Sequence, residues 1–354
     1  MSTPETQRTV ARGTWAEKEA RQTIRDACSA YNQAAERYRD QRRRFGVMVV
    51  LASPFAVVLT ALQQHYFPAE SDFRAAGQLV FLVAAVATGF LRLGRSHEGW
   101  IANRLRAEVL RREEFLVVAR VGPYLTSTES ALGSHVDARL LRVRSAGSDI
   151  LDLLDLEDAE SGQWRHRLED AHGDGTGAPV SDLQGAMRFY LDQRLDEQRR
   201  YFEREGQSKR RWDRGYERVV RAVMLLAVVL SAIQVTALWS SHHGPLGAGP
   251  HVQSRLLDAI DVLSLILPPI AAAAVALRAL FETHRLAGSY ANQAHGLGRI
   301  QARFLELQSQ IDLGRPETAD LGFKRLVLQT EESLAAELRN WWMILRPQRP
   351  AAGP

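Results

Sequence analysis

Four apolar runs, at 45–62, 75–91, 222–239 and 262–280, limit what this chain can fold into more than anything else in it; the first three carry no charge, and the fourth carries none until Arg278. Each is close to the ~17–25 residues a helix needs to cross about 30 Å of hydrocarbon. Short loops pair them into two hairpins, and arginine-rich sequence brackets each hairpin. The expected fold is therefore an all-α membrane protein with four spans.

Composition hides this organisation. With 45% hydrophobic and 24% charged residues the 354-residue chain would pass for a soluble globule, because the average ignores how the two classes are segregated. A net charge of +4 is too small an excess to argue for nucleic acid, and no such partner is expected. The single cysteine, Cys28, excludes an intramolecular disulfide and, at a small apolar position of a helical pattern, reads as a packed thiol.

The first forty residues are charged and hold no apolar run, so insertion is expected through the internal hairpins and without a cleaved signal. Positive charge resists translocation, which fixes the expected orientation. Arg42, Arg43 and Arg44 precede the first span, Lys209, Arg210 and Arg211 precede the third, and each outer loop offers a single arginine, Arg74 or Arg255. These runs read as topology anchors that leave both termini in the cytoplasm; the alternative is binding of an anionic lipid or a nucleotide.

The flanks of the spans are helical in pattern. Ile24, Cys28, Tyr31, Ala35, Tyr38 and Phe45 fall on steps of four and three broken only by Arg42. Leu191, Leu195, Phe202, Trp212, Tyr216, Val219 and Val223 lie on heptad-like positions, with polar Gln198, Glu205 and Lys209 filling the remaining ones. Leu286, Tyr290, Gln293, Leu297, Ile300, Phe304, Leu307 and Ile311 repeat the rhythm. Such seams predict long cytosolic stalks that pack like coiled coils. A helix over 186–239 would be about 80 Å long, so most of it would project beyond the bilayer. Gly122-Pro123 and Gly314-Arg-Pro316 should end helices, and Trp341-Trp342 should either sit among lipid headgroups or pack on a stalk. The expected units are residues 1–172 and 185–346, joined by a linker at 173–184 and followed by a disordered tail at 347–354.

Little in the chain suggests chemistry. It contains no P-loop, no G-x-G-x-x-G, no G-x-S-x-G and no H-E-x-x-H, so neither an enzyme nor a cofactor or metal site is expected. His242, His243 and His251 read as a solvated loop. Pro268-Pro269 inside the fourth span removes two backbone donors and is the candidate hinge or gate, with Pro54 in the first span a weaker one. Gln78 and Gln234 are the candidate intramembrane polar contacts, of the kind that glue helices together.

The stretch Met187-Arg-Phe-Tyr-Leu-Asp-Gln-Arg-Leu-Asp-Glu-Gln-Arg-Arg-Tyr201, leading through basic helix into a hairpin, resembles the SLATT family of two-span effectors associated with SMODS nucleotidyltransferases and SLOG sensors. Trp100-Ile-Ala-Asn-Arg104, Ala107-Glu108 and Arg120-Val-Gly-Pro-Tyr124 are similar to that family's helix after the hairpin. Glu331, Glu332, Glu337 and Trp341-Trp342 are similar to its last helix. The resemblance implies two tandem units acting as an oligomeric, pore-forming effector of a bacterial antiviral system in the inner membrane. It also implies a nucleotide signal or a nucleotidyltransferase, TIR or SLOG partner. The alternative is a membrane-anchored scaffold that recruits a cytosolic enzyme.

Overall fold

The computed structural model describes residues 15–66, 71–146, 150–174, 180, 182–243, 250–281, 283–312 and 316–345. Among these the chain is helical, with no strand. The helices are α1 (Trp15–Tyr66), α2 (Ser71–Ala119), α3 (Glu129–Ser145), α4 (Ile150–Gly173), α5 (Leu183–Tyr190), α6 (Glu197–His243), α7 (Pro250–Leu280), α8 (Thr283–Asp312) and α9 (Pro316–Leu345). A π-helical stretch, Leu191–Asp196, joins α5 to α6 without interrupting the helix.

Local sequence explains where helices stop. Arg120 adopts a left-handed backbone (φ 52°) after α2, and its N–H and that of Val121 reach back to the carbonyls of Val117 and Leu116. This is the reciprocal closure that satisfies the last orphan carbonyls of a helix. Gly122, also left-handed (φ 64°), then starts a single 3-10 turn through Tyr124. Asp182 caps α5 by accepting a hydrogen bond from the Gly185 N–H at 2.8 Å.

Packing sorts the chain into two compact units. One, the bundle unit, gathers Met1–Arg37, Gly99–Gln207 and Arg285–Pro354; the other, the hairpin unit, gathers Tyr38–Glu98 and Ser208–His284.

The bundle unit holds one continuous apolar core drawn from all three segments. Ile24 and Cys28 of α1, Leu105, Leu110 and Phe115 of α2, Tyr190, Leu195 and Phe202 near the start of α6, and Leu297, Phe304 and Phe323 of α8 and α9 are all buried in it. The seam of α8 behaves as its spacing predicts, since Leu286, Tyr290, Leu297, Ile300, Phe304 and Leu307 are all buried. It runs antiparallel to α6: Phe202 meets Tyr290 at 5.5 Å between ring centroids, and farther back Tyr190 stacks on Phe304 at 5.5 Å. Trp341 is buried edge-on against Trp100 at 5.2 Å, so it packs within the protein. The Cys28 thiol is buried and donates to the Ala107 carbonyl at 3.3 Å.

The hairpin unit is built differently. Its core is small, with Leu230 of α6 against Ile260 and Leu267 of α7, and Val223 and Ala227 partly buried beside them. Met48, Leu51 and Phe55 of α1 and Met224, Leu225, Val228 and Val229 of α6 stand exposed. Three described helical stretches, Trp15–Thr60, Leu183–Ala237 and Val262–Ile311, are long and apolar enough to cross a membrane. The fold is that of an all-α membrane protein. The expected span at 75–91 lies within α2, where most of the side chains fall outside the described residues.

The seam of α6 departs from its spacing. A four-three rhythm from Leu191 to Val223 predicts burial throughout, yet Trp212 is 57% exposed and Val219 45% exposed. The rhythm marks an apolar face without saying what covers it. Up to Phe202 other helices cover it, and beyond Ser208 cover is partial: Trp212 and Val219 are exposed while Tyr216 and Val223 are half-buried.

Candidate functional site

The bundle unit buries charge at a node where the helix ladder of α5 and α6 slips. The π-helical stretch inserts one residue into the α-helical register, a device found often at functional positions. It presents Arg194, 3% exposed, to Glu331 of α9, 1% exposed. The Arg194 Nε and Nη2 groups donate to the two Glu331 oxygens at 2.9 and 2.6 Å, and the Tyr190 hydroxyl donates to the same carboxylate at 2.8 Å. The guanidinium lies over the Phe115 ring, 5.2 Å from its centroid. Burial and the Glu331 charge push the Tyr190 phenol well above its ordinary range. Burial disfavours a charged Arg194, but the Glu331 charge, the hydrogen bonds to it and the Glu108 charge together outweigh burial and hold the guanidinium protonated.

From this pair the node extends into α2. Arg194 Nη1 makes no hydrogen bond and stands 3.9 Å from a Glu108 oxygen. The other Glu108 oxygen accepts from Arg104 at 2.7 Å and from Arg111 at 2.9 Å. Burial opposes charge on Glu108, yet Arg104, Arg111 and Arg194 together hold its carboxyl below the ordinary range. Glu337 of α9 faces the same carboxylate and has a buried Oε1 with no hydrogen-bond partner. Burial first, then the Glu108 charge, raise its carboxyl to about 7, with Arg104 opposing.

A second carboxylate is held in the same way. Glu113 of α2, 1% exposed, accepts from Arg139 of α3 at 2.6 Å and from the Tyr124 hydroxyl at 2.7 Å. Beside it Glu114 accepts from Arg25 of α1 at 2.7 Å. Buried pairs of this kind add little net stability over a hydrophobic substitute but penalise any arrangement that separates the partners. Chemically, then, the node can hold helices in one register, and it can hold or release a proton at Glu337.

The residues singled out from sequence lie elsewhere, in the hairpin unit. Arg42, one of the expected topology anchors, ties α1 to α7, since its Nη2 donates to the Leu280 carbonyl at the end of α7 at 3.0 Å. Arg43 is exposed and its charge reaches the half-buried Tyr216. Arg44, Arg210 and Arg211 are exposed, and Lys209 is half-buried. α7 stays helical through Pro268 and Pro269, so the break is one of missing hydrogen bonds and not of an unwound turn; the nearby Ser264 hydroxyl is buried with no partner. Pro54 likewise lies inside continuous α1. Gln234 is half-buried, while the side chains of Gln78, His242, His243 and His251 fall outside the described residues, as do 175–179 and 181 of the expected linker. The hairpin unit also holds a fork that the sequence does not announce. Arg278 donates to both oxygens of Asp213 at 2.7 and 3.1 Å, tying α7 to α6.

Apart from Arg111, the node is made from the stretches quoted for the family resemblance. Tyr190, Arg194 and Tyr201 come from the first, Trp100, Arg104 and Glu108 from the second, and Glu331, Glu337 and Trp341 from the third. Residues 190–341 match the family model described as SMODS and SLOG-associating 2TM effector domain 1. This segment is similar to the SLATT two-span effector domains. Residues 26–131, around the first hairpin, match a family described as a protein of unknown function, DUF4231, which is compatible with a second SLATT-like unit. No curated protein and no solved structure matches the chain. The two matches follow one another along the sequence, whereas packing divides the chain across both, because each contributes helices to the bundle unit and to the hairpin unit.

Proposed function

We propose that the chain is a membrane effector of a bacterial conflict system, which oligomerises in the inner membrane and breaches it when a nucleotide-linked signal arrives. The SLATT match over 190–341 carries this reading, because it assigns a two-span effector domain to the segment whose helices expose apolar faces. In this reading 1–172 and 185–346 are two tandem SLATT-like units with four spans and cytoplasmic termini. Several copies assemble the breach, since four spans offering so little polar lining cannot enclose a pore alone. A partner such as a nucleotidyltransferase, TIR or SLOG protein supplies or senses the signal, and the chain itself performs no catalysis.

The test is to express the full chain in bacteria together with its genomic neighbours and to follow membrane potential with a voltage-sensitive dye after the neighbouring system is triggered. Depolarisation ahead of growth arrest is the expected result. Growth arrest at unchanged potential points to a membrane-anchored scaffold, and exchanging both hairpins for an unrelated two-span hairpin separates the readings. A scaffold keeps its function after the exchange, and an effector that breaches the membrane loses it.

A further inference from the structure

We infer that one face of α6 in the hairpin unit is a binding site for anionic phospholipid, with the headgroup phosphate on Arg211, Arg214 and Arg218 and an acyl chain along Leu225, Val228 and Val229. The inference rests on membrane insertion and not on the formation of a pore. Steps of three, four, seven and three or four residues join these positions, so they fall on one side of the helix. At 1.5 Å per residue, Arg218 to Val229 covers about 16 Å, the reach of one leaflet's acyl chain.

The side chains on this face are displayed outward. Arg211, Arg214 and Arg218 are exposed, while Leu225 is 69% exposed and Val228 66% exposed. Among the described residues the three arginines have no carboxylate partner; Arg214 and Arg218 donate only to the backbone carbonyls of Arg210 and Arg214, each at 3.3 Å. The two acidic residues of this turn are already engaged elsewhere, Asp213 by Arg278 and Glu217 by Arg221 at 2.8 Å. Guanidinium forks are matched in geometry to phosphate oxygens.

The neighbouring face supports the same level in the bilayer. Trp212, 57% exposed, lies 6.1 Å from Tyr216, and such amphipathic rings gather where hydrocarbon meets headgroups. The charge of Arg43 on α1 reaches this Tyr216, which adds a further cation to the collar. A free phosphate compound would satisfy the arginines alone. The exposed apolar strip that continues their face selects a molecule with an acid head and a hydrocarbon tail, and the negative surface potential of an anionic leaflet draws basic residues to the headgroups.

The full chain, purified in nonionic detergent, is titrated with phosphatidylglycerol, with phosphatidylcholine and with soluble glycerol phosphate, and bound lipid and unfolding temperature are read by native mass spectrometry and thermal shift. Phosphatidylglycerol should be retained and should raise the unfolding temperature, with the other two having little effect. Arg211→Gln/Arg214→Gln/Arg218→Gln should weaken retention about tenfold, and the corresponding triple lysine variant should recover part of it, more weakly in high salt. Equal retention of the two lipids, an equal response to glycerol phosphate, or full retention by the glutamine variant would each overturn the site. If the glutamine variant no longer sediments with membranes, the lysine variant decides: loss of lipid selectivity despite retained charge overturns the proposal.

Discussion

Arg194 and Glu331, 137 residues apart in sequence, meet in a two-bonded fork at 2.6 and 2.9 Å with almost no solvent contact. Removing one member leaves the other charge buried. Glu331→Gln or Arg194→Met should each lower the stability of the bundle unit by about 3–5 kcal/mol. The double variant Arg194→Met/Glu331→Leu should recover much of that loss. Thermal unfolding of the four proteins in detergent checks this; single and double variants that unfold alike would show that the pair contributes no coupling.

Glu337 predicts a pH dependence. Its carboxyl is raised to about 7 in the folded chain from an ordinary 4.5, chiefly by burial and by Glu108. The folded state therefore holds the proton more tightly than the unfolded chain does. That contribution is complete below about 4.5, declines as pH rises, and is lost above about 7, a range worth on the order of 3 kcal/mol. The groups facing Glu337 are Glu108 and Arg104 from α2, Tyr201 from α6 and Tyr290 from α8, and Glu205 of α6 acts on the same two tyrosines. Glu337→Gln keeps the shape and drops the charge, so its unfolding temperature should pull ahead of the wild type between pH 5 and pH 7.5. Parallel curves would refute the assignment.

These two predictions rest on residues that sequence reading treats poorly, and the reason is physical. Helix ends are legible because Gly122-Pro123 and Gly314-Arg-Pro316 act locally; α2 ends at Ala119, and α8 and α9 fall on either side of 313–315. The seam of α8 is legible because burial on one face writes itself every three or four residues. Arg194 and Glu331 look like ordinary charges on amphipathic helices, and nothing local pairs residues so far apart. Their only signal is that both lie in stretches resembling one family. The exposed outer seam of α6 misleads for the opposite reason, since apolar periodicity is the same whether a helix or open space faces it.

Gly122 should be intolerant of a side chain. Its backbone is left-handed (φ 64°), and a Cβ there would lie 3.2 Å from the Trp164 ring, itself buried under Arg112. Gly122→Ala should cost about 1–3 kcal/mol through backbone strain and crowding together. Gly133, inside α3 with nothing near its Cβ position, supplies the contrast, and Gly133→Ala should stabilise by about 0.5–1 kcal/mol. Opposite signs in urea or thermal unfolding are expected; two losses of similar size would mean that helix context, and not the turn, sets the effect.

Pro268 and Pro269 allow the proposed gating role to be tested apart from membrane insertion. Each lacks an N–H, so the carbonyls of Ser264 and Leu265 lose their partners one turn back, in a segment where the Ser264 hydroxyl is already unsatisfied. Unpaired groups in a spanning helix are costly, and that cost is relieved wherever water or a neighbouring helix reaches them. Pro268→Ala/Pro269→Ala restores both donors. The variant should still resist extraction from membranes by carbonate and should unfold at a higher temperature than the wild type. If the proline pair is the moving part, signal-triggered depolarisation should fall at least tenfold while insertion stays intact. Depolarisation at the wild-type rate, in a variant that is demonstrably stiffer, would make the prolines a static feature of α7.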